Sequence, residues 1–149
     1  MMKNSELMMA DQTKENTLYL PIRQIYFDQI IEGTKTEEFR EVKEGITANR
    51  YLQKADNASG YALNPNCTEN HKQYFIDDYN GGNFPFLPKP IKYLDLAVGY
   101  AKERDTATVE VVGFSFKPEM IRYDREGNPQ FCFWVISFHL GKIVKLHRK

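Results

Sequence analysis

The sequence is poor in several things that would have fixed its class at once. It has two cysteines, Cys67 and Cys132, and they form no CxxC pair. A reducing cytoplasm is therefore the expected compartment. No apolar run approaches the ~20 residues that would span a bilayer, so a membrane partner is not expected. The opening stretch MMKNSELMMADQTKENT lacks the apolar centre of a signal peptide. Charge of one sign is not in excess: 20 basic and 20 acidic residues give a net charge of zero. Nothing global attracts a polyanion, and the neutral balance argues against a long electrostatic groove. Any nucleic-acid contact has to come from a local basic patch, which suits a nucleotide or a short single strand better than duplex DNA. There is no glycine-rich phosphate loop, no GxSxG elbow, no internal repeat and no low-complexity segment. No cofactor is implied.

What is present is a chain of 149 residues, 42% hydrophobic and 13% aromatic. That is enough for one domain with its own core, and the aromatic content favours strands. The stretch that organises the rest is PIRQIYFDQIIEGTKTEEFREV, from Pro21 to Val42. Ile22, Tyr26 and Ile30 recur at four-residue steps beside Ile25 and predict a short amphipathic helix. Gly33 follows Glu32 where that helix should close, in the left-handed conformation that glycine adopts at low cost. Thr36 to Glu41 then alternates with period two, which predicts a strand with Glu38 and Arg40 on one face and Phe39 on the other. Lys35 stands at the turn between them. Two cations and a carboxylate are thus gathered near one helix terminus. A carboxylate paired with Arg40 would hold the guanidinium, leaving donors for a phosphate or a base edge. The plainer alternative is a solvated strand face whose ion pair contributes little.

Along the rest of the chain, residues 1–16 are polar and aperiodic and predict a disordered leader, with the domain proper at 17–149. Thr17 to Pro21 predicts a short strand ended by the proline. Gly45 to Asn57 predicts a second helix, with Thr47 as cap and Ala48, Tyr51, Leu52 and Ala55 as its stripe. Arg50 lies off that stripe, either solvent-facing or joined to Lys35 and Arg40 in a basic cluster. Residues 59–90 are dense in glycine and proline and predict a long loop, kept from disorder by Tyr74, Phe75, Tyr79, Phe84 and Phe86. Phe84 or Phe86 would stack on a base or plug the edge of the core.

Strands are predicted over Ile91 to Ala101 and Thr106 to Lys117, with a bulge at Gly113 and a stop at Pro118. Residues 125–129 predict a loop. Gln130 to Leu140 is the most apolar run and predicts a central strand, followed by a tight turn at Gly141 and a last short strand. The basic tail Lys145 to Lys149 is expected in solvent.

Other constellations carry little chemistry. Cys67 and His71 are four apart but have no second ligand pair, so no metal site is expected. Cys132 is expected as a buried small hydrophobe and His139 as a hydrogen-bonded structural histidine. Asp77 and Asp78 adjoin and point apart, a poor acid–base pair.

The spacing Gly33-x-Lys35-x-x-Glu38-x-Arg40 resembles the signature of the ASCH family, a branch of the PUA-like superfamily. The strand Leu18 to Leu20, the stretch LAVGYAKERDTATVEVVGF and the closing WVISFHLGKIV also look like the family's elements. The resemblance implies an α+β fold: a small PUA-like β-barrel of about five to six strands with flanking short helices and a long aromatic-rich loop. It implies an RNA- or nucleotide-binding cleft built from Lys35, Glu38 and Arg40, which Arg50 would join. Glu38 would orient Arg40 or accept from an exocyclic amine. One subgroup is similar in its motif lysine and deacylates an acetylated cytidine. In an enzyme of that kind, or a ribonuclease, Lys35 and Glu38 would be the catalytic pair. That subgroup has a threonine where this chain has Glu38, and Glu119 is the candidate for its later glutamate. A third possibility is a protein-interaction domain using the loop from Tyr74 to Phe86.

Overall fold

A computed structural model describes residues 11–43, 45–56, 60–64 and 86–149. The spaced pair Cys67 and His71, the pair Asp77 and Asp78, and most of the aromatic loop lie outside the described residues.

The fold is mixed α and β, dominated by strands. In chain order the elements are β1 (Thr17–Ile22), α1 (Gln24–Glu32), β2 (Glu37–Val42), α2 (Ala48–Tyr51), β3 (Tyr93–Val98), β4 (Thr106–Glu119), β5 (Arg122–Tyr123), β6 (Pro129–Gln130) and β7 (Phe133–His147). Five of the strands form one sheet in the order β1-β3-β4-β7-β2, and β5 pairs with β6 in a small ladder. β1 runs parallel to β3, and β3 antiparallel to β4. The expected closed barrel is corrected by this order. Among the described residues β1 and β2 are the two edges of an open sheet.

The chain divides into two compact units. The first comprises Met1–Glu38, Pro90–Gly113 and His139–Lys149, and the second Phe39–Lys89 and Phe114–Phe138. In the first, Leu20, Leu94, Leu96 and Val109 from three adjacent strands are fully buried, as are Phe27 and, nearly so, Ile30 of α1. Each such side chain contributes about 1.5–3 kcal/mol relative to an exposed one. In the second, Phe138 is fully buried between Tyr51 and Phe114, edge-on to both with centroids 5.9 and 5.6 Å away.

α1 closes as expected. Gly33 has φ 86, and its left-handed turn lets the backbone N–H of Gly33 and Thr34 reach the Ile30 and Gln29 carbonyls. The helix begins later than the periodicity suggested. Ile22 completes β1, the buried face of α1 is Phe27 and Ile30, and Ile25 and Tyr26 are exposed. Pro21 does not end β1. An edge strand tolerates proline because one side of its ladder is unpaired.

The second helix is one turn, Ala48–Tyr51, not Gly45 to Asn57. Leu52 and Lys54 are already extended and bridge to Pro88 and Tyr61. Thr47 precedes the turn but gives it no side-chain cap. Its hydroxyl instead donates to the Glu41 carbonyl and accepts from the Lys43 N–H.

Both glycines read as breaks in the later strands sit inside continuous strands. Gly113 lies within β4 with the His139 ring 3.3 Å from where a Cβ would stand. Gly141 lies within β7, and a Cβ there would meet Val112 at 2.7 Å. These glycines make room for neighbouring side chains rather than turns. Pro118 likewise falls inside β4. The loop at 125–129 is a compact turn in which the Asp124 carboxylate accepts the Glu126 and Asn128 backbone N–H groups. These bonds, led by Asn128, hold the Asp124 carboxyl below its ordinary range. Cys132 is half-buried rather than buried, since it precedes β7 instead of pointing into a core.

Residues 11–16, expected as part of a disordered leader, make definite contacts. Asn16 and Thr13 exchange side-chain hydrogen bonds, and the Asn16 carbonyl accepts the Lys92 N–H at 2.7 Å. The basic tail is also held. Arg148 reaches Asp28 at 3.4 Å and Asp105 at 3.5 Å, and the Lys149 N–H donates to Asp105 at 2.9 Å. Among the described residues no helix is long and apolar enough to cross a membrane.

Candidate functional site

The motif residues divide between the two units. Lys35 and Glu38 belong to the first, Arg40 and Arg50 to the second. The turn after Gly33 brings Lys35 Nζ to 3.6 Å from Glu38 Oε1 and 5.3 Å from the centroid of the Tyr26 ring. Tyr26 is exposed because it faces this ammonium and not the core.

β2 alternates as its sequence demands, but with an inversion. Glu38 is only 5% exposed while Phe39 is 43% exposed. An acid faces inward with a lysine partner and a phenyl ring faces out. Among the described residues no buried side-chain polar atom lacks a hydrogen-bond partner. Glu37, beside them, pairs with His139 at 3.3 Å. The histidine is thus a half-exposed neighbour of Glu37 at the position Gly113 keeps open.

In the second unit a recess of about 370 Å³ is lined by Phe39, Arg40, Lys117, Glu119, Phe133 and Val135, together with Glu41 and Ile121. Lys117 Nζ stands 5.2 Å from the Phe39 centroid, and Lys43 Nζ stands 4.7 Å from the Phe133 centroid. Lys43 also pairs with Glu41 at 3.1 Å. This is a shallow aromatic floor with ammonium groups over its rings and both signs of charge around its rim. Arg40 and Glu119 belong to it. Arg50 is exposed on α2 and does not line it.

Sequence reasoning singled out Arg40 and passed over Phe39, Lys117 and Phe133. The available signal was a phenylalanine flanked by charges on a strand, Glu38-Phe39-Arg40, which marks an apolar ring on a polar face. Phe86, expected to stack or plug, packs edge-on against Tyr61 with centroids 5.7 Å apart. Among the described residues no group of three or more His, Cys, Asp or Glu is placed to hold a metal ion.

A second recess, of about 290 Å³, lies in the first unit over β1, β3 and β4. Asp95 lies within it, its Oδ1 accepting from the Thr108 hydroxyl at 2.6 Å and from the Gln12 amide at 3.4 Å. The sequence signal for it was one acid inside an apolar run, Leu94-Asp95-Leu96.

No family model matches the chain, and neither the curated proteins nor the solved structures contain a significant match to it.

Proposed function

We propose that the protein is an RNA- or nucleotide-binding domain of the kind its ASCH-like motif suggests, and that the ligand is taken at the recess around Phe39. The observation that carries this is the exposed Phe39 ring under the Lys117 ammonium, in one concavity with the half-buried Phe133 ring. Every nucleobase has a π-face, and stacking on an aromatic ring contributes about 1–3 kcal/mol per base. A base arriving on Phe39 takes the place of the Lys117 ammonium. The displaced lysine is then within a side chain's swing of the phosphate attached to that base. Glu41 and Glu119 supply acceptors for exocyclic amines, and Arg40 a donor for phosphate or a base edge. The balanced charge of the rim agrees with a neutral protein that binds a short ligand rather than a duplex.

The test is fluorescence anisotropy with short single-stranded RNAs and with mononucleotides. Phe39→Ala should weaken binding by about 1–3 kcal/mol, the stacking term. Lys117→Ala should weaken it less, with the loss shrinking at high salt because the lysine acts through phosphate. Acetylated cytidine belongs in the same panel, followed by mass spectrometry, because Lys35 and Glu38 do stand together. Product formation that disappears in Lys35→Ala would move the chemistry to the first unit. Absence of binding by the wild type across the panel ends the proposal.

A further inference from the structure

The recess of the first unit shares no residue with the one around Phe39, and what it could hold is independent of that assignment. Tyr19, Asp95 and Thr108 are register partners across β1, β3 and β4, so their side chains form one row on one face of the sheet. Gln12, from the segment before β1, reaches down to the same carboxylate. Both protein hydrogen bonds to Asp95 fall on Oδ1, which fixes the carboxylate plane. Among the described residues nothing engages Oδ2. Asp95 is the one acid in the lining, and Arg104 and Lys145 are its cations. Arg104 donates to the Gly99 carbonyl at 3.4 Å, and Lys145 has no ion pair among the described residues. One cation without an ion pair, and a second held by a single long hydrogen bond, therefore share a small concavity with one half-committed carboxylate and the exposed Tyr19 ring.

We propose that this recess binds a small zwitterion of the free α-amino acid type. The ligand ammonium would pair with Asp95 Oδ2 beside the face of Tyr19, where carboxylate and ring quadrupole attract the same charge. The ligand carboxylate would lie between Arg104 and Lys145, the guanidinium offering a forked pair of donors. A simple anion is disfavoured by Asp95, and a simple cation by the two basic groups. A volume of about 290 Å³ sits at the lower end for small-molecule sites and leaves no room for a dinucleotide or a folded peptide.

The experiment is a titration of the isotopically labelled full chain, followed by backbone amide NMR. The probes are glycine, L-alanine, L-glutamine and L-phenylalanine, with propionate and ethylamine as single-charge controls. Saturable shifts are expected at Asp95, Thr108 and Lys145 with at least one amino acid, and much smaller ones with either control. Asp95→Asn should weaken that amino acid about tenfold or more, and Lys145→Gln about threefold or more. Asp95 also braces Thr108, so its variant could unfold. Lys145 is exposed and braces nothing, and its variant keeps the test decisive. No saturable shift with any amino acid, equal shifts with propionate, or undiminished binding by Lys145→Gln would each overturn the proposal.

Discussion

The two units use the same contact, a cation over an aromatic ring, in different settings. In the first, each such cation among the described residues is backed by a buried acid. Lys35 lies over Tyr26 and pairs with Glu38, and Arg148 lies over Phe27 and pairs with Asp105. Glu38 and Asp105 are each 5% exposed. In the second, Lys117 lies over Phe39 with no acid partner among the described residues, and the acid beside Lys43 is the exposed Glu41. A cation that pairs with a buried carboxylate as well as with a ring gives up both contacts on leaving. One held only by a ring, in water, gives up about 0.5–1 kcal/mol on leaving. The same pair is therefore a fixture in one unit and a displaceable cover in the other, and on this difference rests the proposal of a ligand at Phe39 rather than at Tyr26.

The largest expected effect tests the aromatic packing of the second unit. Phe138→Ala empties a site enclosed by Tyr51 and Phe114 and should cost about 3–5 kcal/mol in chemical denaturation. A loss below about 1 kcal/mol would mean that the core around Phe138 is not held by aromatic packing. Next in size is the contrast between acids. Glu38→Gln leaves the Lys35 ammonium without its carboxylate in a largely buried place and should cost about 1–3 kcal/mol. Glu41→Gln, at an exposed pair, should stay within about 0.5 kcal/mol. Equal losses would erase the distinction between fixture and cover.

Asp105 sharpens the same point through pH. The Lys149 N–H, then the Gln24 amide, and then the charges of Arg148 and Lys149 hold its carboxyl below the ordinary range. A carboxyl with a depressed folded pKa contributes stability that is complete above its unfolded value, about 3.9, and is lost as pH falls through the folded value. Asp105→Asn should lower the melting temperature at neutral pH and flatten the acid side of the stability profile. Arg148→Ala should do part of the same. A profile unchanged by Asp105→Asn would show that the tail is not anchored there.

Much of the local structure was legible in the sequence because one residue decided it. Gly33 had to close α1, and Thr36 to Glu41 had to alternate, whatever surrounded them. The misreadings share a physical cause. Gly113 and Gly141 suggest a bulge and a turn, but what the fold uses is their missing side chain, which admits His139 and Val112 from the neighbouring strand. Sequence spacing cannot distinguish a glycine needed for its backbone from one needed for its missing side chain. The inversion at Glu38 and Phe39 was hidden in the same way. Alternation says that the two point apart, but which one points inward depends on Lys35 arriving through a turn. Asp95 was overlooked because its partners, Gln12 and Thr108, come from distant parts of the chain.

The smallest effect probes a fixture made without a cation. The Tyr93 hydroxyl donates to Asp11, and this hydrogen bond, with burial next, pushes the phenol pKa up to about 12. A group whose folded pKa is raised contributes stability that is fully present below its unfolded value, about 10, and is lost as pH rises through the folded value. The contribution should therefore fade between about pH 10 and 12 and be intact at neutrality. Ultraviolet titration of tyrosinate, with Tyr93→Phe as the difference reference, isolates this one ring among the nine tyrosines. In Asp11→Asn the neutral amide no longer repels the phenolate, so the titration should move back toward the ordinary value. At neutral pH that variant should lose no more than about 1 kcal/mol, the net worth of one hydrogen bond. If Tyr93 titrates normally in the wild type, the segment carrying Asp11 and Gln12 does not lie over β3, and the carboxylate of Asp95 loses one of the two bonds that fix its plane.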